Sequence, residues 1–250
     1  MSGDPAVVLR RARAANTCWT VVSPLAAVLP RDRADVVAAN AEAARVVRAS
    51  PGLLQWVVVH PFEARTLEQA RTMLQSPECV GIKIHPAQHG YGIAEQGRPI
   101  FELAAELSTV IQTHSGEAGC MPMDFVPLAN EFHNVTVILA HLGYGGPTGG
   151  PFDLQVRAIQ AAQHGNLLAD TSSGRSITAG LVEWAVAEVG AENILYGTDT
   201  PLYFAPAQRA RIERAELTDA QKRLILRENA LSLLPAARNH PPGMTSEDTR

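Results

Sequence analysis

The sequence predicts an α/β fold in which parallel strands alternate with helices and curl into a (β/α) barrel. Short runs rich in β-branched residues alternate along the chain with longer segments of helical spacing. Four of the apolar runs end in a histidine and a fifth ends in an aspartate, namely His60, His85, His114, His141 and Asp199. Because the parallel strands of a barrel end on one face, we expect these side chains to meet there.

About seven strands are recognisable, fewer than the eight of a closed TIM-type barrel, so the predicted barrel is incomplete. The strands are predicted at residues 17–22, 53–59, 80–84, 109–113, 135–140, 167–170 and 194–197. Helices are predicted at 5–15, 32–48, 67–75, 101–107, 123–132, 154–163, 181–189, 207–214 and 218–234. Asp4 is the predicted N-cap of the first helix, and Pro5 suits its first turn.

Two glycine-containing segments, 86–97 and 143–151, are predicted to be loops, the second of them mobile. No linker interrupts the alternation, which predicts a single domain over residues 1–234. Residues 235–250 are rich in proline and polar residues and are predicted to be a disordered tail.

Composition limits the function classes. The 250 residues carry a net charge of −4, which gives no electrostatic case for binding nucleic acid or an anionic membrane. No apolar run approaches the ~20 residues of a spanning helix, and the first residues lack signal-peptide features. Three cysteines without CxxC spacing indicate neither a disulfide framework nor a cysteine zinc site. We expect a cytoplasmic protein that acts on a small-molecule substrate and can form a homo-oligomer.

The strongest candidates for chemistry are His114, His141 and Asp199. Neutral imidazoles and a carboxylate that converge at one end of a barrel can ligate a transition metal, and a carboxylate there can also act as a base. The alternatives stay open at this point. Either histidine could be a core residue hydrogen-bonded to backbone, and Asp199 could be a turn residue before Pro201.

Lys83 and His85 lie two residues apart, so on a strand they share a face. Lys83 is one of only two lysines, and it is flanked by Ile82 and Ile84. It could bind an anionic substrate group or, once carbamylated, bridge two metal ions. Alternatively, its stem lies along apolar surface while the ammonium reaches water.

The remaining polar candidates have weaker signals. His60 is expected to be a wall residue, and Asp170 either supports the site from behind or caps a helix. The other histidines, at positions 89, 133, 164 and 240, are expected in solvated loops or helix ends. Phosphate-binding loops, GxGxxG and the Gly-x-Ser-x-Gly elbow are absent from the sequence.

Four motifs in order along the chain carry a family resemblance. They are Gly-Ile-Lys-Ile-His-Pro (81–86), Thr-His-Ser-Gly (113–116), Leu-Ala-His-Leu-Gly (139–143) and Leu-Tyr-Gly-Thr-Asp-Thr-Pro (195–201). Together with the ending at 225–234, they resemble the amidohydrolase superfamily in its amidohydrolase-related branch. The resemblance covers roughly residues 5–234.

The resemblance implies a distorted TIM barrel with a divalent metal, often zinc, at its C-terminal face. It implies that His114 is a metal ligand, that His141 is a ligand or a catalytic residue, and that Asp199 binds metal and acts as base. Lys83, with His85 beside it, is implied to contact substrate. Members of the branch include hydrolases of lactones and amides, and non-oxidative decarboxylases.

The chain departs from the family pattern at its beginning. The family opens with a strand that carries His-x-His, whereas this sequence has no histidine before His60. The leading hypothesis is a metal-dependent hydrolase in which metal-activated water attacks a lactone, ester or amide. The alternatives are a metal-dependent non-oxidative decarboxylase, and an inactive barrel that binds a ligand or partner. We expect the first and last strands to flank a gap.

Overall fold

The computed structural model describes residues 3–29 and 35–234, and these residues form one seven-stranded sheet. The strands follow one another in chain order, and each is parallel to its neighbours. They are β1 Thr20–Val22, β2 Leu53–Val58, β3 Cys79–Ile84, β4 Ile111–Thr113, β5 Val137–Leu139, β6 Leu167–Asp170 and β7 Ile194–Leu195. The sheet is an incomplete TIM barrel, as the sequence predicted.

Helices connect the strands. They are α1 Pro5–Ala14, α2 Leu25–Val28, α3 Val36–Arg48, α4 Ala64–Met73, α5 Pro86–His89, α6 Ile93–Gln96, α7 Arg98–Glu106, α8 Val126–Glu131, α9 Leu154–Ala161, α10 Leu181–Val189, α11 Ala205–Glu213, α12 Asp219–Arg223 and α13 Asn229–Leu233. A π-helical segment, Leu224–Glu228, joins α12 to α13. Short 3₁₀ segments occur at Pro122–Phe125, Gly174–Ile177 and Ala191–Asn193. No helix in the described ranges has the length and hydrophobicity needed to span a bilayer.

The predicted cap of the first helix is confirmed, since the Asp4 carboxylate accepts from Ala6 N–H at 2.8 Å. The prediction of a plain loop at 86–97 was wrong, because α5 and α6 lie within it. The predicted helices at 123–132 and 218–234 are each divided into segments of different helix type. Part of the predicted helix at 32–48 and the whole predicted tail at 235–250 lie outside the described residues.

The inside of the barrel is filled by side chains from alternate strand positions. Leu54 and Trp56 of β2 pack there with residues of the later strands, namely Val110, Ile138, Leu168 and Leu195. Gly81 makes this packing possible, because a Cβ atom at that position would lie 2.4 Å from Cζ3 of Trp56. The opposite faces of the strands pack against the surrounding helices in a larger apolar cluster.

The C-terminal helices cover the free edge of β7. Tyr196 N–H donates to the Ile225 carbonyl at 2.9 Å, and the Asn229 side chain donates to the Ile194 carbonyl at 2.8 Å. Leu234 joins the apolar cluster inside the barrel. The C-terminal helices therefore occupy the side of β7 where a closed barrel would place another strand.

Candidate active site

The carboxyl ends of the strands bring four of the predicted side chains into one group. The His85 ring stacks on His114 with centroids 4.1 Å apart, and the His114 ring meets His141 edge-on at 4.9 Å. Lys83 lies among them, since its charge acts on all three imidazoles. Asp199 follows β7 and interacts electrostatically with His141 and Lys83. Whether these residues bind metal or substrate remains a prediction.

Two of these residues hold strained backbone conformations. His141 has φ 76° and Asp199 has φ 49°, in the left-handed region that non-glycine residues rarely adopt. Such strain persists only where the surrounding structure enforces it, and it is concentrated at functional sites. The turns after β5 and β7 thus hold these two side chains in fixed positions at the mouth.

Lys83 is a buried cation at the mouth of the barrel. Burial lowers the pKa of its ammonium to about 8, while the negative charges of Asp170 and Asp199 oppose the shift. The residue is 8% exposed, which argues against the alternative in which its ammonium reaches bulk water. At neutral pH this group offers positive charge in a poorly solvated pocket, where electrostatic attraction is stronger than in water.

The three neighbouring imidazoles are held in their neutral form. Burial lowers the pKa of His114 to about 3 and that of His141 to about 4, with Asp170 opposing the shift in both cases. Burial also places the pKa of His85 far below its ordinary value. Neutral imidazole is the form that accepts a proton or ligates a metal.

Asp199 lies at the rim of the group. The surrounding protein partly desolvates its carboxyl group and raises its pKa, while His141 and Lys83 act in the opposite direction. The residue nevertheless reaches solvent at the mouth. A carboxyl group in this position can exchange protons both with the pocket and with water.

His85 has a structural role that the sequence did not reveal. Its Nδ1 accepts from Gln88 N–H at 3.3 Å, so the side chain caps α5. Pro86 occupies the first position of that helix, where the missing N–H costs nothing. The cap and the stacking on His114 fix the ring, and a role in substrate binding remains a prediction.

Two carboxylates hold the histidines of the site: Asp170, which the sequence offered as a supporting residue or a helix cap, and Glu117, which the sequence analysis did not predict. Glu117 Oε1 lies 3.1 Å from His114 Nε2 and accepts from the Tyr144 hydroxyl at 2.8 Å. Asp170 accepts from His141 N–H at 3.2 Å and contacts its ring through Ser172. The only sequence signals were the end of β6 for Asp170 and the spacing of three from His114 for Glu117.

The glycine-rich segment after β5 is tied to the site by Gln155. Its side chain donates to Tyr144 O at 3.0 Å and to Ser115 Oγ at 3.2 Å, and it accepts from Gly143 N–H at 3.2 Å. Gly116 approaches this segment closely, because a Cβ atom there would lie 2.4 Å from Tyr144 O. The segment is therefore hydrogen-bonded to the loop that carries His114.

His60 belongs to a different group at the same end of the barrel. Its ring lies 5.4 Å from that of Tyr91 and 5.3 Å from that of His89. The expectation that His89 is a solvated surface residue was wrong, since its Nε2 contacts the Ala27 carbonyl at 3.0 Å and burial lowers its pKa. That His60 is a wall residue of the barrel stays a prediction.

The described residues do not by themselves form a metal site. His114 and His141 have the neutral imidazoles that a metal ion requires, but within residues 3–29 and 35–234 no three His, Cys, Asp or Glu side chains are arranged to hold an ion. A complete site takes about four donors. The His-x-His pair that the resemblance implies has no counterpart in the sequence.

The chain belongs to the amidohydrolase family, because the model of that family matches residues 15–236. No curated protein matches the chain at a significant level. The family match extends from the end of α1 to just beyond the last described residue. It therefore includes all seven strands and every residue of the candidate site.

Solved structures with the same fold include enzymes of two kinds. One is 2,6-dihydroxybenzoate decarboxylase from Rhizobium, at 16% identity and a TM-score of 0.69 over 94% of this chain and 88% of that chain. Another is an amidohydrolase assigned only by similarity, from Staphylococcus aureus, at 15% identity and a TM-score of 0.70 over 92% of this chain and 91% of that chain. A third is 5-carboxyvanillate decarboxylase from Novosphingobium aromaticivorans, in complex with manganese and a nitrobenzoic acid. Its identity is 13% and its TM-score 0.64, over 92% of this chain and 79% of that chain. These similarities establish the fold.

Proposed function

We propose that this chain is an amidohydrolase-family enzyme that removes CO2 from a small carboxylic acid without a redox step. The observation that carries the proposal is the buried Lys83 ammonium at the barrel mouth, beside Asp199 and His141. A buried cation binds a carboxylate or phenolate oxygen and excludes neutral competitors. Two of the three structural relatives described above are decarboxylases, which supports the proposal.

In the proposed reaction, Lys83 holds an anionic oxygen of the substrate in the pocket. The bond between the substrate carbon and its carboxylate breaks, CO2 leaves, and the electron pair stays on that carbon. Asp199, which takes up a proton from solvent at the mouth, then donates that proton to the carbon and so forms the new C–H bond. Burial raises the pKa of its carboxyl group, which favours proton uptake, and its access to solvent lets it regain the proton.

The second candidate function is hydrolysis of a lactone, ester or amide, which the sequence resemblance favoured. A specific observation supports it, because neutral His141 beside Asp199 can accept a proton from an attacking water molecule. Lys83 would then stabilise the oxyanion that develops on the carbonyl oxygen. The two candidates use the same residues and differ in which substrate bond is broken.

The sequence resemblance also implies a divalent metal that His114, His141 and Asp199 would contact, although the described side chains alone are not arranged to hold an ion. Zinc is the ion that the sequence resemblance implies, and manganese is the ion in one structural relative. With only these donors, binding should be weak. Elemental analysis of the purified chain before and after dialysis against a chelator tests both the presence and the identity of the ion.

The function is tested by turnover of two substrate panels with added zinc or manganese. One panel contains hydroxybenzoates, including 2,6-dihydroxybenzoate, with CO2 release as the measurement. The other contains lactones and esters, with acid release as the measurement. CO2 release supports the decarboxylase, acid release alone supports the hydrolase, and no turnover on either panel supports the inactive barrel.

The chain offers a matched control for the lysine. Lys83→Met should weaken carboxylate binding and lower kcat/KM on the order of a hundredfold, because it removes the buried charge. Lys222→Met changes the only other lysine, a half-buried one that donates to the Glu213 carbonyl, and should leave both unchanged. Equal behaviour of the two variants would contradict the role of Lys83.

A further inference from the structure

The His141 ring is hydrogen-bonded to the hydroxyl group of Ser172, and that hydroxyl group is hydrogen-bonded in turn to the carboxylate of Asp170. Ser172 Oγ lies 2.8 Å from His141 Nδ1, and the same hydroxyl donates to Asp170 Oδ1. Asp170 Oδ1 also accepts from Ser172 N–H at 2.9 Å and from His141 N–H at 3.2 Å. Ser172 and Asp170 are both buried, so water does not compete for these contacts.

The donors and acceptors in this chain of hydrogen bonds determine which nitrogen of the His141 ring carries the proton. A carboxylate only accepts hydrogen bonds, and Asp170 Oδ1 accepts from three donors here: His141 N–H, Ser172 N–H and the Ser172 hydroxyl. Ser172 has one hydroxyl proton, which it donates to Asp170. Towards His141 the hydroxyl can therefore only accept, and so Nδ1 must carry the ring proton. The lone pair of the neutral ring is then on Nε2.

The adjacent histidine, His114, carries its ring proton on the other nitrogen. Glu117 lies against Nε2 of His114, and its carboxylate also accepts from the Tyr144 hydroxyl. Because that carboxylate only accepts, Nε2 of His114 carries the proton, and its lone pair is on Nδ1. The two rings, 4.9 Å apart, are thus assigned different tautomers by two different carboxylates.

We propose that Ser172 and Asp170 are positioning residues that hold His141 as the Nδ1–H tautomer and keep its Nε2 free to accept a proton. Among the described residues, no group forms a hydrogen bond with that Nε2 atom. The contribution to turnover rests on the proposed function, whereas the tautomer itself does not. Without Ser172, neither ring nitrogen of His141 would be fixed as the donor.

The test is nitrogen NMR of the chain labelled with ¹⁵N-histidine, at neutral pH and without added metal. Proton–nitrogen correlations distinguish the two tautomers, and the His141 signals are assigned by their loss in His141→Gln. We expect Nδ1–H at His141 in the wild type. We expect Ser172→Ala to shift its signals towards Nε2–H and Ser172→Thr, which keeps the hydroxyl, to retain the wild-type pattern.

Ser232→Ala is the control, since it also removes a hydrogen-bonded serine hydroxyl, one that donates to the Asn229 carbonyl on the last helix. It should leave the His141 signals unchanged. An Nε2–H tautomer in the wild type, or identical His141 signals in the wild type and Ser172→Ala, would overturn the proposal. If Ser172→Ala does not fold, the proposal is still tested by the tautomer of the wild type and by the His141 signals of Asp170→Asn.

The activity measurement separates this inference from the proposed function. On the substrate panel that the wild type turns over, Ser172→Ala should lower kcat on the order of tenfold and leave KM nearly unchanged. Ser172→Thr should have a kcat close to that of the wild type. An equal loss in Ser172→Thr would contradict positioning through the hydroxyl. If neither panel is turned over, the proposed function fails while the NMR result still decides the tautomer.

Discussion

At the scale of single residues, the site depends on one buried charge. Lys83 is surrounded by neutral imidazoles and by the carboxylates of Asp170 and Asp199, so its ammonium is poorly hydrated but electrostatically balanced. A carboxylate ligand would replace solvent as its partner. The affinity of the pocket for anions should therefore depend on the charge state of this one side chain.

Carboxylate binding should weaken as the pH rises through the pKa of Lys83. Because that pKa is about 8, affinity for benzoate should be nearly constant below it and fall by about tenfold per pH unit above it, as the ammonium loses its proton. Calorimetric titration across this range measures the effect. Benzamide, the neutral analogue, should show no such dependence, and a flat benzoate profile in the wild type would contradict the assignment.

At the scale of elements, a buried asparagine completes the edge of β2. The strand β1 has only three residues and pairs with β2 as far as Gln55. Beyond it, the Asn40 side chain of α3 accepts from Val58 N–H at 3.0 Å and donates to the Val58 carbonyl at 2.8 Å. A single amide group thus satisfies two backbone groups that a longer β1 would pair.

Asn40→Ala should lower the free energy of unfolding by about 3 kcal/mol, because it leaves the buried N–H and C=O of Val58 unpaired. Urea denaturation followed by circular dichroism measures the change. Asn130→Ala removes an exposed side-chain contact with Gln163 N–H and should cost well under half as much. Similar losses in the two variants would show that the Val58 contacts contribute little.

The sequence predicted strands more reliably than their connections. The strand 167–170 was predicted with the bounds that the structure shows, since burial on both faces leaves a continuous apolar run. The helix 181–189 was also predicted with its observed bounds, because one buried face leaves a helical period of apolar residues. The segment 86–97 was misassigned because the His85 side chain and Pro86 start a helix that glycine content concealed. Ser172 and Glu117 escaped prediction because their role depends on contacts across loops, which have no sequence period.

At the scale of the whole molecule, the described residues leave one sheet edge without a strand partner. The C-terminal helices cover β7, and β1 is the other end of the sheet. Large exposed apolar side chains all follow the carboxyl end of a strand, and they are Leu25, Leu29, Phe62, Met123, Phe152, Ile177, Leu202, Tyr203 and Phe204. The molecule thus has two surfaces suited to self-association.

The predicted homo-oligomer should form through the edge of β1. Thr20 N–H donates to Gly52 O of the adjoining loop, so the N–H of Val21 faces the open side, because alternate residues of a strand face opposite edges. Val21→Pro removes that donor and should convert an associated chain into a monomer, as measured by light scattering over a concentration series. Phe204→Ser, a change at the apolar mouth, should leave association intact. The reverse outcome would place the interface at the mouth, and a wild type that is monomeric at every concentration would contradict the prediction.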